Sequence, residues 1–324
     1  MQTDLTNGSV LKNIALFSLP YFLSYFLQTL YGLADLFIIG QFDGVDSITA
    51  VSIGSQIMNM ITVMIVGLSM GATVCIAQAV GAKDKEKLRY CIGNTVTVFF
   101  IVSLILTGLL LFFTDFIVGV VKTPAEAVAG TKEYLTICFI GIPLITAYNI
   151  VSSILRGMGD SKSPMYFIAI ACVANIILDY VFIGYFKLGA VGAAVGTTLS
   201  QGISVICALT YINRNNSSDS SSFAYLKLKG NIAKRLLRIG IPICVQDGFI
   251  QVAFMVITVI ANMRGLTDAA AVGIVEKLIS FIFLVPSSML STVSAMGAQN
   301  IGAGKIDRAK QTLRYAIYIT FIFG

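Results

Sequence analysis

The stretch from Ile14 to Gly40, IALFSLPYFLSYFLQTLYGLADLFIIG, constrains the fold more than any other part of the chain. It is long and apolar enough to cross a bilayer, because a transmembrane helix needs about 20 residues. It nevertheless carries a carboxylate, Asp35, with Tyr31 one helical turn before it on the same face. A charge at the centre of a membrane helix costs roughly 2.5–3.5 kcal/mol on insertion scales, so Asp35 is expected to form half of an ion-binding site.

Similar apolar runs recur along the whole chain of 324 residues, which is 56% hydrophobic and only 12% charged. A soluble domain carries about 25% charged residues, and the runs are continuous rather than alternating, which excludes a β-barrel. The sequence therefore predicts an all-α, polytopic membrane protein with eight full transmembrane helices and part of a ninth. The predicted spans are 14–40, 47–80, 91–113, 131–155, 164–186, 189–212, 237–262 and 270–300, with the ninth beginning near 314.

The net charge of +6 reflects how the basic residues are distributed between the two sides of the membrane. With the N-terminus placed in the cytoplasm, Lys and Arg number 17 in the inside segments and 4 in the outside segments. This asymmetry follows the positive-inside rule, so we expect a multi-pass protein of the plasma (inner) membrane with a cytoplasmic N-terminus. The same distribution explains the positive charge without a nucleic-acid partner, so we expect none. We also expect no cofactor, since the six cysteines lack metal-ligand spacing and histidine is absent.

A polar segment, NRNNSSDSSSFAYLKLKGNIAKR, divides the chain, and its composition predicts a flexible linker followed by a basic surface helix. The pattern before it restarts after it. Pro20 precedes Gln78 in QAVGAKDKEKLRY by 58 residues, and Pro242 precedes Gln299 in QNIGAGKIDRAKQTLRY by 57. A repeat of six spans keeps the orientation of the first copy, so we expect two parallel bundles related by an axis along the membrane normal.

This repeat predicts three segments: an N-lobe six-helix bundle (1–212), a cytoplasmic linker with a basic segment (213–236) and a partial C-lobe with helices 7, 8 and the start of 9 (237–324). The last apolar run, YAIYITFIFG, is about half as long as a span. We therefore expect a C-terminally truncated form of a protein with twelve spans, and we expect this form to be inactive.

A second set of polar residues lies in the run ANIILDYVFIGY, where Asn175 and Asp179 are four apart and share a helical face. Thr197 follows in the sixth span, and Tyr134 lies near the start of the fourth. Two carboxylates at similar depth in one bundle, Asp35 and Asp179, can share a proton or bind a cation. Alternatives remain open: both aspartates could lie at the membrane surface, Thr197 could bond its own backbone, and Tyr134 could anchor the interface.

Five motifs in this order resemble the multidrug and toxic compound extrusion (MATE) transporters, and among them the DinF-like branch: YGLADLFIIG, QAVGAKDKEKL, ILRGMGDSKSPM, ANIILDYVF and GAAVGTTLSQ. The resemblance covers nearly the whole chain. It implies a twelve-helix, two-lobed, V-shaped carrier that exports organic, often cationic compounds in exchange for protons or sodium ions.

The resemblance also implies a cation-coupling site in the N-lobe, with an aspartate on the first helix and Asn-x-x-x-Asp on the fifth. The residues that match this site are Asp35, Asn175, Asp179, Tyr31, Thr197 and Tyr134. Of these, the set that could hold Na⁺ is Asp35, Asn175, Asp179 and Thr197.

The related NorM branch carries acidic residues in the C-lobe, including one on the seventh helix. The nearest candidates here, Asp247, Gln246 and Gln251, do not match that pattern cleanly. Together with Glu276 and Met255 they are our candidates for the substrate cavity, where an acid would attract a cationic substrate. Glu276 could instead pair with another helix of its own lobe.

We therefore expect a monomeric antiporter in the lipid bilayer that exchanges small, cationic, amphipathic organic substrates for H⁺ or Na⁺ by alternating access. The alternative is a lipid-linked oligosaccharide flippase of the same superfamily, which basic residues in the cavity would favour, and Lys277 is the one candidate. An intramembrane enzyme is disfavoured because the chain offers no nucleophile–base grouping. A channel is disfavoured because two repeated lobes suit rocking better than a fixed pore.

Overall fold

The computed structural model describes residues 4–215, 223–264, 271–272, 275 and 278–323. Within these residues the chain is helical and has no β-strand, which confirms the all-α class. The α-helices are α1 (Val10–Phe42), α2 (Val45–Gly81), α3 (Lys85–Phe112), α4 (Thr114–Val120), α5 (Val128–Ile140), α6 (Ile142–Gly157), α7 (Lys162–Asp179), α8 (Gly189–Asn215), α9 (Gly230–Arg264), α10 (Leu284–Gly302) and α11 (Ile306–Phe323). One π-helical segment, Tyr180–Tyr185, continues α7.

Seven helices in the described residues are long and apolar enough to cross a membrane, and the count is eight if α5 and α6 form one span. The chain is therefore a multi-pass membrane protein. The first seven predicted spans coincide with helices, whereas the start of the eighth, 270–300, lies partly outside the described residues. The count of eight spans and part of a ninth stays a prediction.

The fourth predicted span, 131–155, is bent by 46° between α5 and α6. Pro143 lies in the first turn of α6, where its missing N–H costs no helical hydrogen bond. Gly141, at the bend, faces α8 so closely that a Cβ there would lie 2.7 Å from Cγ2 of Thr198. The bend therefore has two causes, a proline that starts a new helix and a glycine that admits a neighbouring helix.

The outer faces of the helices are apolar, as expected of surfaces that contact lipid. On α3, Phe100, Leu104 and Ile105 are exposed, while the opposite face buries Thr95 and Phe99. The hydroxyl of Thr95 donates to the carbonyl oxygen of Cys91 at 2.7 Å, so this buried polar group is satisfied within its own helix.

The two copies of the repeated loop motif pack against each other. A side chain on Gly81 would collide with the carbonyl oxygen of Gln299, and one on Gly302 would collide with that of Gln78. Both glutamines also bond away from their own helices: Gln299 Nε2 donates to the carbonyl oxygen of Gly157 at 2.9 Å, and Gln78 Oε1 accepts from Arg235. We call this end of the molecule, where the α2–α3 and α10–α11 turns meet, the basic end.

The same close approach continues along α2 and α9. A side chain on Gly71 would meet the carbonyl oxygen of Leu236, and one on Gly240 would meet that of Leu68. Small residues at these positions let the helix backbones touch, as is common where membrane helices associate. The helices before the polar segment are thus closed against those after it near the basic end.

Arg156 directly follows the fourth predicted span and is therefore one of the 17 basic residues assigned to inside segments, but it is buried near the end of α6, with 9% of its surface exposed. Its guanidinium lies 4.4 Å from the centre of the Tyr21 ring on α1. One turn further along α1, the hydroxyl of Tyr25 lies 2.9 Å from that of Ser291 on α10. Tyrosines of α1 therefore connect α6 with the second half of the chain.

Residues 4–9, which we call the first strap, dock on the second half of the chain before α1 begins. Leu5 is fully buried among apolar residues of α10 and α11. Arg308 donates to the carbonyl oxygens of Gly8 at 2.7 Å and Asn7 at 2.8 Å, and Lys305 donates to that of Thr6 at 2.8 Å.

Residues 223–229, which we call the second strap, dock in the opposite sense, on α3 of the first half. Asn94 donates to the carbonyl oxygen of Lys227 at 3.4 Å and accepts from the amide of Lys229 at 2.8 Å. Thr97 donates to the carbonyl oxygen of Leu226 at 2.8 Å. Within the described residues, the segment predicted as a basic surface helix lies partly in the second strap and partly in the first turns of α9, which begins at Gly230 and continues into the predicted span without a break.

We expect Asn94→Ala to destabilise the protein by about 1–3 kcal/mol, because it removes two hydrogen bonds and leaves backbone groups of the second strap unpaired. The measurement is the apparent Tm in detergent. Asn213→Ala, at an exposed asparagine near the end of α8, is the matched control and should change stability by less than about 0.5 kcal/mol. Equal Tm values for the two variants would contradict the role of Asn94.

Candidate cation site

Three helices bring the polar residues of the first half together. Asp35 lies in the last third of α1, Asn175 and Asp179 lie in the last two turns of α7, and Thr197 lies in α8. Because Asn175 and Asp179 are four residues apart, both face the same side of α7. The packing of α7 against both α1 and α8 places that side between the other two helices.

The four residues form one buried cluster. Thr197 Oγ1 donates to Asp35 Oδ2 at 3.3 Å, and Asn175 Nδ2 lies 3.5 Å from Asp179 Oδ1. The carboxyl groups of Asp35 and Asp179 lie within hydrogen-bonding reach of each other. Exposed fractions are 3% for Asp35 and 0% for Asp179, so neither aspartate lies at a surface. Thr197 uses its hydroxyl between helices rather than on its own backbone.

The electrostatics of this cluster call for a positive charge. Two carboxylates in contact in an apolar interior either share a proton, so that only one is ionised, or stay ionised with a cation bound between them. The described residues supply no basic partner within ion-pair distance of either aspartate. Three buried oxygens also lack a hydrogen-bond partner: Asp35 Oδ1, Asn175 Oδ1 and Asp179 Oδ2. All three are acceptors, and a proton or a hard cation is what such oxygens accept.

The donor set fits an alkali cation or a proton better than a transition metal. It consists of two carboxylates, an amide and a hydroxyl, all of them hard oxygen ligands. No group of three or more His, Cys, Asp or Glu side chains suited to a metal ion occurs in the described part of the chain.

The two predicted tyrosines lie beside the cluster. Tyr31 on α1 and Tyr134 on α5 are both close enough to Asp35 to interact with its charge. Tyr134 is buried, and its ring packs so tightly on Gly54 of α2 that a side chain there would overlap it. Tyr134 therefore lies in the interior rather than at a membrane interface. All six residues predicted for the coupling site lie in one region, and their role in coupling stays a prediction.

The sequence analysis missed one residue of the cluster, Gly196. A Cβ at this position would collide with Asp179 Oδ1, so the absence of a side chain on α8 is what admits the carboxylate. The signal was a glycine inside an apolar helix, directly before Thr197, which often marks a close approach of another group. The π-helical segment Tyr180–Tyr185 starts directly after Asp179, and single π turns are frequent at functional sites.

The residues predicted for a substrate cavity lie mainly on one face of α9. Asp247, Gln251 and Met255 are spaced by four and are partly buried. Gly67 on α2 lies against Asp247, since a Cβ there would be 2.7 Å from Asp247 Oδ2. Gln246 is exposed on a neighbouring face of α9. Glu276, predicted for the cavity, and Lys277 lie outside the described residues.

Comparisons with known proteins agree with this architecture. A family model described as MatE matches residues 20–181 and 242–324. The probable multidrug resistance protein YoeA of Bacillus subtilis is 30% identical over 98% of this chain and 70% of its own length. The multidrug export protein MepA of Staphylococcus haemolyticus is 27% identical over 98% of this chain and 70% of its own length.

A solved structure gives the same result for the fold. The crystal structure described as MATE in the bent conformation superimposes with a TM-score of 0.89 at 25% sequence identity. The alignment covers 98% of this chain and 71% of that chain.

We expect Gly196→Ala to destabilise the protein by about 1–3 kcal/mol, the usual cost of overpacking, because the new methyl group displaces the Asp179 carboxylate. Gly202→Ala on the same helix is the matched control, since its Cβ would meet only Leu144 Cδ1 at an ordinary 3.6 Å. Apparent Tm values in detergent compare the two variants. A Gly196→Ala protein as stable as Gly202→Ala would show that the position of the Asp179 carboxylate does not depend on the missing side chain at Gly196.

Proposed function

Because the chain belongs to the MatE family, we propose that it exports small, cationic, amphipathic organic compounds from the cell in exchange for H⁺ or Na⁺. Named relatives are multidrug resistance and export proteins, so the chain is a membrane transporter of multidrug efflux type and not an enzyme. The buried contact between Asp35 and Asp179 is the observation that carries the proposal of cation exchange, because it needs a positive charge to be stable.

The proposed coupling works through the charge of this pair. With a cation or proton bound, α1, α7 and α8 are held together through Asp35, Asp179 and Thr197. Without it, the two carboxylates repel each other and favour another arrangement of α1 against α7. Exchange results when the cation and the organic substrate favour opposite arrangements, since a ligand shifts an equilibrium only by its difference in affinity for the two states.

Asp247 is the proposed attractor for a cationic substrate. It lies between α2 and α9, seven residues beyond Gly240, and is therefore about 10 Å further from the basic end along α9. Gln251 and Met255 continue the same face. A carboxylate, an amide and a polarizable thioether along one face suit substrates that combine a positive charge with apolar groups of varied shape.

The proposed orientation places the basic end and the N-terminus in the cytoplasm of the plasma membrane. The excess of Lys and Arg in the segments of this end supports it. The boundary between the first and second halves of the chain, which we call the seam, is closed near this end by the contacts of Gly71, Gly81, Gly240 and Gly302. We infer that the two lobes are 1–212 and 237–324, joined by the linker 213–236, and that this arrangement of the monomer faces outward.

We expect Asp35→Asn and Asp179→Asn each to abolish cation-driven efflux, because a neutral side chain removes the charge that the cation compensates. The measurement uses the full-length protein and follows ethidium transport into inside-out vesicles under an imposed pH gradient and then an imposed Na⁺ gradient. The gradient that drives transport by the unaltered protein identifies the coupling ion.

Asp46→Asn, at an exposed aspartate in the first turn of α2, is the matched control and should transport normally. Transport by both site variants at the control rate would refute the coupling role of the pair. Transport that is lost in Asp46→Asn as well would point to a general effect of removing acidic charge.

We expect Asp247→Asn to weaken transport of a monovalent cationic dye by about 5- to 50-fold in apparent affinity, while a neutral substrate of similar size is affected less than twofold. The reason is the lost attraction between opposite charges in a partly desolvated position. Asp247→Glu retains the charge and should keep most of the affinity. Equal losses for the charged and the neutral substrate would contradict a direct role of the Asp247 charge.

A further inference from the structure

Two adjoining cavities open at the basic end between α2, α3 and α9. The first, of about 220 Å³, lies between Lys87 and Cys91 of α3 and Arg235 of α9. The second, of about 290 Å³, is lined by Lys234, Arg235 and Arg238. Arg235 and Asn231 line both cavities, so together they form one continuous depression, which we call the basic groove.

Four cations surround the basic groove without a matching anion. Lys87, Lys234, Arg235 and Arg238 form no ion pair among the described residues. The start of α3 carries two acidic residues, Glu86 in the first turn and Asp84, which caps the helix by accepting from the amide of Lys87. An accumulation of this kind raises the local concentration of anions.

The basic groove has an apolar side as well as a cationic one. Cys75 and Cys91 are buried at its floor, with exposed fractions of 3% and 2%. From Arg238, the exposed face of α9 continues through Ile241 and Val245, spaced by three and four residues so that they lie on one stripe. A charged cluster that leads directly into an exposed apolar stripe matches the two parts of a phospholipid.

We propose that the basic groove binds an anionic phospholipid, with its phosphate at Lys87, Arg235 and Arg238 and its acyl chains along Ile241 and Val245. Basic pockets between transmembrane helices are a known type of site for anionic headgroups. The apolar stripe distinguishes a lipid from free phosphate, which the cations would also attract. Lipid binding is separate from the proposed transport activity, because it requires neither the cation site nor a substrate.

The position of the basic groove gives the bound lipid a structural consequence. Lys87 belongs to the first half of the chain, and Arg235 and Arg238 belong to the second. Arg235 also donates to Gln78 of α2 across the same seam. A headgroup held by both halves therefore stabilises the arrangement that is closed at the basic end.

The test uses the purified, delipidated chain and a triple variant, Lys87→Gln, Lys234→Gln and Arg238→Gln. Arg235 is retained because of its bond to Gln78. We expect the unaltered protein to retain phosphatidylglycerol over phosphatidylcholine in native mass spectrometry. Each cation near a membrane surface contributes about fivefold to affinity, so the triple variant should bind phosphatidylglycerol at least about tenfold more weakly. Both proteins should have the same apparent Tm without lipid, because the three substituted side chains contact solvent.

The matched control removes three exposed cations of the same end outside the basic groove, in the variant Lys12→Gln, Lys310→Gln and Arg314→Gln. It should retain phosphatidylglycerol as the unaltered protein does. Equal losses in the two triple variants would show a diffuse effect of surface charge and overturn the site. Equal retention of the two lipids, or displacement of phosphatidylglycerol by millimolar inorganic phosphate, would also overturn the proposal of a lipid site.

Discussion

The contact between Asp35 and Asp179 is the constraint on which the first half of the chain depends. Two buried carboxylates in contact are unstable unless a positive charge accompanies them, and here their surroundings are apolar helices. The neighbouring residues are arranged around that requirement: Thr197 donates to one carboxylate, and Gly196 leaves room for the other. In the proposed mechanism the free energy of this arrangement depends on whether a cation is bound, and coupled transport requires such a dependence.

The first and second halves of the chain pack against each other through the repeated loop motif. Gln78 and Gly81 of the first loop motif meet Gln299 and Gly302 of the second, so each copy provides the glycine that admits the other. The straps follow the same reciprocal logic, since each docks on the half of the chain that it does not lead into. Each of these glycines faces a backbone carbonyl oxygen of the other copy, so the two helix backbones approach closely there.

Sequence reasoning identified the residues whose presence in a membrane is costly and missed those whose role depends on packing. Asp35 and Asp179 could be found because a charge in an apolar span needs a reason, and the spacing of Asn175 from Asp179 fixed a common face. Gly196 could not be found in the same way, because its role depends on the Asp179 carboxylate, which α7 places against it. Arg156 was assigned to a loop from its position at the end of a span, whereas the ring of Tyr21 provides a buried place for its charge.

Helix α1 connects the candidate cation site with the first strap and with the contacts to α6 and α10. It begins after the first strap, stacks Tyr21 on Arg156 of α6, contacts Ser291 of α10 through Tyr25 and ends beyond Asp35. Tyr25 and Asp35 are ten residues apart, or about 15 Å along the helix. Pro20 has no N–H group and interrupts the backbone hydrogen bonding of α1 between the first strap and Tyr25. A change of charge at Asp35 that moved α1 would therefore act directly on the contacts with the second half. Since the same helix carries the candidate cation site and contacts with the second half of the chain, the proposed mechanism requires no separate relay between them.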